Sequence, residues 1–139
     1  MESDSKISRK TSMVFLLIAV VIAAILSVYA AFTYPRDVVS FQVSFTIGAD
    51  VQRREFDVPI LHRYVQVEVV VNSGTSLWTA KILDGDRGLW GHSASQGGQT
   101  TYRSGWIELS SGHYNFTFST LGLGSLKAEI KVTSKGGFW

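Results

Sequence analysis

Gly91-His92-Ser93-Ala94-Ser95 comes one residue short of a nucleophile elbow, because Ser95 stands where the pattern G-x-S-x-G needs its second glycine. An elbow would present a serine hydroxyl for acyl transfer, but it requires a strand–turn–helix in a large α/β fold. The residues around it are rich in turn formers and alternating β-formers, so the stretch reads as a polar loop. Gly122-Leu123-Gly124 is a fragment of a phosphate loop with no helix N-terminus to receive an anion, and reads as a hairpin turn. His62, His92 and His113 lack the i, i+2 or i, i+4 spacing that brings two imidazoles to one metal ion, and are expected at the surface or rim. Asp84-Gly85-Asp86 offers two carboxylates, too few for the oxygen shell of calcium, and Asp-Gly is first a turn signal. Glu55, Asp57, Glu68, Glu108 and Glu129 suggest no acid–base pair. These patterns predict no catalytic residue, no metal site, no cofactor and no enzyme.

The four tryptophans are the better candidates for contact chemistry. An exposed indole face can stack on a sugar ring, whereas a buried one fills a core. Trp78 alternates in phase with Ala80 and Ile82 and reads as core. Trp90 and Trp106 flank the glycine-rich stretch around Gln96-Gly97-Gly98 and are predicted to touch a ligand or partner. Phe138 and Trp139 follow two glycines and are candidates to pack back on the domain, meet a lipid interface or enter a partner. Asn115-Phe116-Thr117 is an Asn-x-Thr acceptor pattern, which makes Asn115 a possible glycosylation site on an exported domain.

The elements that must position these residues follow from hydropathy. Residues 13–32, MVFLLIAVVIAAILSVYAAF, carry no charge. Such a run matches the roughly 20 residues that cross about 30 Å of hydrocarbon. It lacks the polar stripe of a surface helix. Lys6, Arg9 and Lys10 precede it, which predicts a cytoplasmic residue 1–11 tail, a transmembrane signal-anchor helix over 12–34 and an exported part over 35–139. Val28-Tyr29-Ala30 resembles a signal-peptidase site, but secretory apolar regions usually run about 7–15 residues and this one is longer. A processed pilin leader is disfavoured, since Arg9-Lys10-Thr11-Ser12 lacks the Gly or Ala expected before the cut and no Glu sits early in the helix.

Beyond Pro35 the rhythm changes to period two, the mark of half-buried strands. Phe41, Val43, Phe45 and Ile47 share one predicted face, as do Val65, Val67, Val69 and Val71, and Leu126, Ala128, Ile130 and Val132. Tyr114, Phe116 and Phe118 point inward in the same way, leaving Asn115, Thr117 and Ser119 outward. Glycine-, Asn- and Asp-rich turns separate these runs. Together they predict an all-β, antiparallel two-sheet β-sandwich of jelly-roll or Ig-like size, with seven or eight strands of about 5–8 residues, after one N-terminal transmembrane helix.

Charge and cysteine usage narrow the partners. Thirteen basic and eleven acidic residues, of which three and two precede Pro35, leave ten against nine in the sandwich region. Balanced charge gives no electrostatic case for nucleic acid or for an anionic membrane surface. The chain has no cysteine, so an exported domain must hold through its core alone.

Leu109-Ser-Ser-Gly-His-Tyr-Asn-Phe-Thr-Phe118, followed by the alternating run at 126–132, resembles the late strands of GOLD-type β-sandwiches of the p24 cargo-adaptor family, over about a quarter of the chain. The present sequence departs from that family in its N-terminal rather than C-terminal membrane helix, its lack of paired cysteines and its lack of a coiled coil. The resemblance implies a non-catalytic sandwich that binds other proteins, without cargo transport. The expected function is therefore a single-pass, membrane-anchored accessory or structural protein-binding subunit of a membrane or cell-surface assembly. The alternative is a carbohydrate-binding module that uses exposed tryptophans.

Overall fold

The computed structural model describes residues 2–74, 77–95, 99–122, 124–137 and 139, with side chains from residue 8 onward. Phe138 and the loop centre at 96–98 lie outside the described residues. The first element, α1, is Glu2–Thr33. It contains neither Gly nor Pro and stops one residue before Tyr34-Pro35, where the proline disfavours helical geometry at its predecessor. It starts earlier than the expected boundary at 12, running back through the basic segment. Within residues 8–33 the most apolar 18-residue window has a mean hydropathy of 2.9, and none of that window is buried. Two hydroxyls near its end bond back within the helix: Ser27 donates to the carbonyl of Ala23 at 2.7 Å and Thr33 to that of Tyr29 at 2.8 Å.

Among the described residues, everything after the helix is strand, turn or loop. The strands are β1 (Arg36–Phe45), β2 (Gly48–Val58), β3 (His62–Gly74), β4 (Leu77–Asp84), β5 (Arg87–Ala94), β6 (Thr100–Arg103), β7 (Ile107–Glu108), β8 (Gly112–Gly122) and β9 (Leu126–Gly136). They form two antiparallel sheets, one ordered β1-β9-β3-β6 with β7 also on β3, the other β2-β8-β4-β5. The fold is the expected sandwich behind one apolar helix. Two details differ. The described residues form nine strands rather than seven or eight, because Ile107–Glu108 pairs briefly with β3, and the long strands exceed the expected length.

Period-two side chains build the core. Val65, Val67, Val69, Val71 and Leu126, Ala128, Ile130, Val132 come from one sheet, and Trp78, Ala80, Ile82, Tyr114, Phe116, Phe118 from the other. Trp78 stacks on Phe118 at 5.7 Å. The Tyr114 hydroxyl donates to the Ser110 carbonyl at 2.7 Å, tying the strand's entry to its core face. Ile47 departs from expectation: it falls in the β1–β2 turn and is exposed.

The strand directions give the sandwich two ends. One holds the exit of α1, the start of β1, the β2–β3 turn and the end of β9. The other holds the β1–β2 turn, the end of β3 and the start of β9. Gly74, at the second end, has φ +124°, and a Cβ there would lie 2.0 Å from the Ser125 carbonyl oxygen. Only glycine lets these two backbone segments approach.

Candidate functional site

The helix end of the sandwich is a closed joint. His62, expected at the rim, is buried, which corrects that reading. It opens β3, and the reversal of chain at 59–61 turns its ring toward the helix. Nε2 lies 2.7 Å from the carbonyl oxygen of Phe32 and Nδ1 lies 2.8 Å from Ser134 Oγ. A carbonyl only accepts, so Nε2 donates to Phe32, and in the neutral ring Nδ1 accepts from the Ser134 hydroxyl. Thr33 is fully buried, and its hydroxyl also accepts from Trp139 Nε1 at 2.9 Å. The Trp139 ring meets Tyr34 edge-on at 5.3 Å. Gly136 makes room for this contact, since a Cβ there would come within 2.5 Å of Thr33 Cβ. Arg36 folds back to donate to the Ala31 carbonyl at 3.3 Å. The last helical turn is thus packed and hydrogen-bonded as part of the sandwich.

A second feature lies along β5, an edge strand. Trp90, His92 and Ala94 share the inward face with Ile82, Ala80 and Trp78 through the register Ile82–Trp90, Ala80–His92 and Trp78–Ala94. At the open side between the sheets they meet Tyr102 of β6. His92 lies parallel to Tyr102 at 3.9 Å, Trp90 stacks on it at 6.5 Å, and Trp78 closes the cluster at 5.7 Å. Burial holds the Tyr102 phenol above its ordinary pKa. On the other side of β5, Gly88 and Gly91 carry no side chain beside Leu83 and Lys81. The result is a shallow groove of about 500 Å3 walled by Lys81, Leu83, Asp86, Leu89 and Trp90. An apolar aromatic wall beside one cation and one carboxylate can hold a polyhydroxylated ring by stacking and by hydrogen bonds.

Trp106 does not share this groove. It lies in the connection between β6 and β7, exposed, with Lys135 Nζ 4.1 Å from its ring centre. The paired use of Trp90 and Trp106 expected from their flanking positions is therefore replaced by two separate surroundings. Asn115 is half-buried on β8, between Glu55 of β2 and Leu83 of β4 in register. Thr117, expected to point outward into solvent, is instead buried between Arg53 and Lys81. Among the described residues no three His, Asp or Glu side chains cluster as a metal site. Asp57 and Glu55 instead flank His113, whose Nδ1 is 2.6 Å from Asp57.

Of the joint, the sequence offered only the packing of Trp139 back on the domain, not its meeting with the helix end or with His62. Nothing in the spacing of Phe32, His62, Ser134 and Trp139 signals that they meet, because their contacts span up to 106 positions. The groove had one signal, the glycines of β5, which were visible only as turn formers.

No protein-family model matches the sequence, nor does any curated protein. Among solved structures, the PBSX exported protein XepA superposes with a TM-score of 0.53 at 11% identity, covering 74% of this chain and 37% of its own. The C-terminal carbohydrate-binding module of the laminarinase LamC from Zobellia galactanivorans gives 0.47 at 17% identity, covering 76% and 94%. The module TmCBM61, solved with galactotriose, gives 0.47 at 13% identity, covering 73% and 88%. The likeness to XepA is one of fold.

Proposed function

We propose that this chain is a non-catalytic binding module whose β-sandwich is held at a membrane surface by its N-terminal helix. The observation that carries the reading is the joint: Phe32 and Thr33 are held in helical form by hydrogen bonds from His62 and Trp139 of the sandwich. Removal of a leader after Ala30 would leave residues 31–33 without the preceding turn that keeps them helical. The helix therefore serves the folded domain and is not merely a passenger. The test is alkaline extraction of membranes from cells making the full chain. The reading expects an uncleaved, extraction-resistant protein whose sandwich is protease-sensitive only from the non-cytoplasmic side. A shortened, fully extracted product would defeat it.

For the ligand, the β5 groove favours a carbohydrate. Titrating the detergent-solubilised chain with glycans should change Trp fluorescence. Trp90→Ala should abolish the response and Asp86→Asn should weaken it, with thermal unfolding confirming that both variants fold. No response to any glycan class removes this ligand.

The accessory-subunit reading rests on a different observation. In register, Ala49, Leu121 and Leu77 form a row across the outer face of the four-stranded sheet, and Val51 lies in the next row. Ile47, Val51, Leu77 and Leu121 are exposed, at the end away from the helix. An exposed apolar row suits a protein partner. Leu121→Asp should then remove proteins that co-purify with the intact chain in mild detergent, while leaving glycan binding unchanged.

A further inference from the structure

We infer that the helix end of the sandwich is itself a lipid-contacting surface, with the β2–β3 turn immersed in the headgroup layer. This rests on the reading above that α1 spans the membrane.

The turn is Pro59-Ile60-Leu61-His62, closed by a hydrogen bond from His62 N to the Pro59 carbonyl at 3.0 Å. Leu61 has φ 70°, and is the one non-glycine residue with positive φ among the described residues. A turn with positive φ at its third position favours Gly or Asn, and a branched apolar side chain there is strained. Strain of this kind persists where other contacts compensate for it. Yet Ile60 and Leu61 are 68% and 46% exposed, so the protein itself provides little of that compensation. Two adjacent large apolar side chains at the tip of a strained turn fit a non-aqueous neighbour.

The position of the turn identifies that neighbour. His62, the last residue of the turn, holds the Phe32 carbonyl, and the Leu61 carbonyl oxygen lies beside Gly136, which packs on Thr33. The turn tip is therefore level with the last residues of the helix. An apolar run over 13–32 rises about 30 Å, the thickness of the hydrocarbon core. If it fills that core, Phe32 sits at its boundary, and Ile60 and Leu61 enter the layer just outside. Exposed Tyr34 and Trp139 lie on the same end, and such amphipathic rings favour this layer. Arg36, bonded back to Ala31, keeps its guanidinium at the same level, where an arginine can reach headgroup phosphate.

The exposed apolar row at the other end has no such continuity. The two ends therefore make opposite predictions. Because the chain has no cysteine, single labels can be placed without removing any residue. Bimane is attached to Ile60→Cys, Leu121→Cys and Ile22→Cys in the full chain, reconstituted in phosphatidylcholine vesicles that contain lipids brominated either near the carbonyl or near the chain end. All three positions are exposed, and thermal unfolding checks that each labelled chain is folded.

The expected result is deep-bromine quenching at Ile22→Cys. At Ile60→Cys, carbonyl-level bromines quench, and quenching by aqueous iodide falls several-fold relative to Leu121→Cys. If Ile22→Cys is deep but Ile60→Cys matches Leu121→Cys in iodide quenching, the immersed turn is refuted while the anchored reading stands. If Ile22→Cys is itself open to iodide, the membrane-spanning reading fails and this inference with it.

Discussion

The two ends of the sandwich both carry exposed apolar side chains, yet they are built on different principles. At the helix end, the buried imidazole of His62 has both nitrogens engaged and the buried Thr33 hydroxyl both donates and accepts. At the far end, the buried Thr120 hydroxyl has no hydrogen-bond partner among the described residues, and close backbone approach at Gly74 provides the constraint. Directional bonds specify an orientation, whereas packing specifies only proximity. The helix end is thus built to fix the angle of the sandwich to its helix. The far end need only stay closed, which leaves its apolar row available to a partner.

The largest effect is expected at the far end. Gly74→Ala places a methyl group against Ser125 and Leu126 backbone at a φ that alanine resists. It should cost about 3 kcal/mol or more, read as a lower urea midpoint in detergent. A midpoint equal to that of the parent would show that packing at this end is looser than described.

His62→Ala comes next, at about 2–4 kcal/mol, because it removes two hydrogen bonds and leaves the Ser134 hydroxyl buried without a partner. Its diagnostic readout is orientation. The spin-label distance distribution between Ile22→Cys and Lys127→Cys should broaden in His62→Ala. A distribution as narrow as in the parent would mean that the joint contributes stability without fixing the angle.

Thr120→Val has the opposite sign. Replacing an unpartnered buried hydroxyl by a methyl should stabilise by about 1 kcal/mol. Destabilisation would reveal a partner for that hydroxyl and make the two ends more alike.

The smallest effect belongs to His113, on the solvent face near the helix end. The hydrogen bond that the ring donates to Asp57 raises its pKa above the ordinary 6.5, opposed by desolvation and assisted by the charges of Asp57 and Glu55. The folded value lies above the unfolded one, so the stabilisation is fully present below about pH 6.5 and disappears as pH rises through the folded value. An imidazole NMR titration should show the raised midpoint, and Asp57→Asn should lower it. An unchanged midpoint in that variant would remove this pair from the helix end's polar contacts.

Local pattern alone was enough for the sheets. Val65, Val67, Val69 and Val71 alternate strictly, and all four are buried. The same rule failed at Ile47, where the chain turns before the pattern ends, and at Thr117, where long side chains on both neighbouring strands close over an outward position. Trp90 was legible as a candidate for contact but not its setting, because the groove beside it depends on the missing side chains of Gly88 and Gly91 and on the lateral order of β4 and β5. His62 was misread because an isolated histidine carries no sign of burial until its partners are known.

The sequence by itself determined one apolar helix long enough to cross a membrane and a two-sheet sandwich, because hydropathy period is a property of neighbouring residues. Only the tertiary structure decided that the helix is built into the sandwich and that Trp90 and Trp106 lie in different surroundings. It also decided that Leu61 sits strained beside the end of the helix. These contacts join residues tens of positions apart, and their energies depend on burial and angle, which spacing along a chain does not encode.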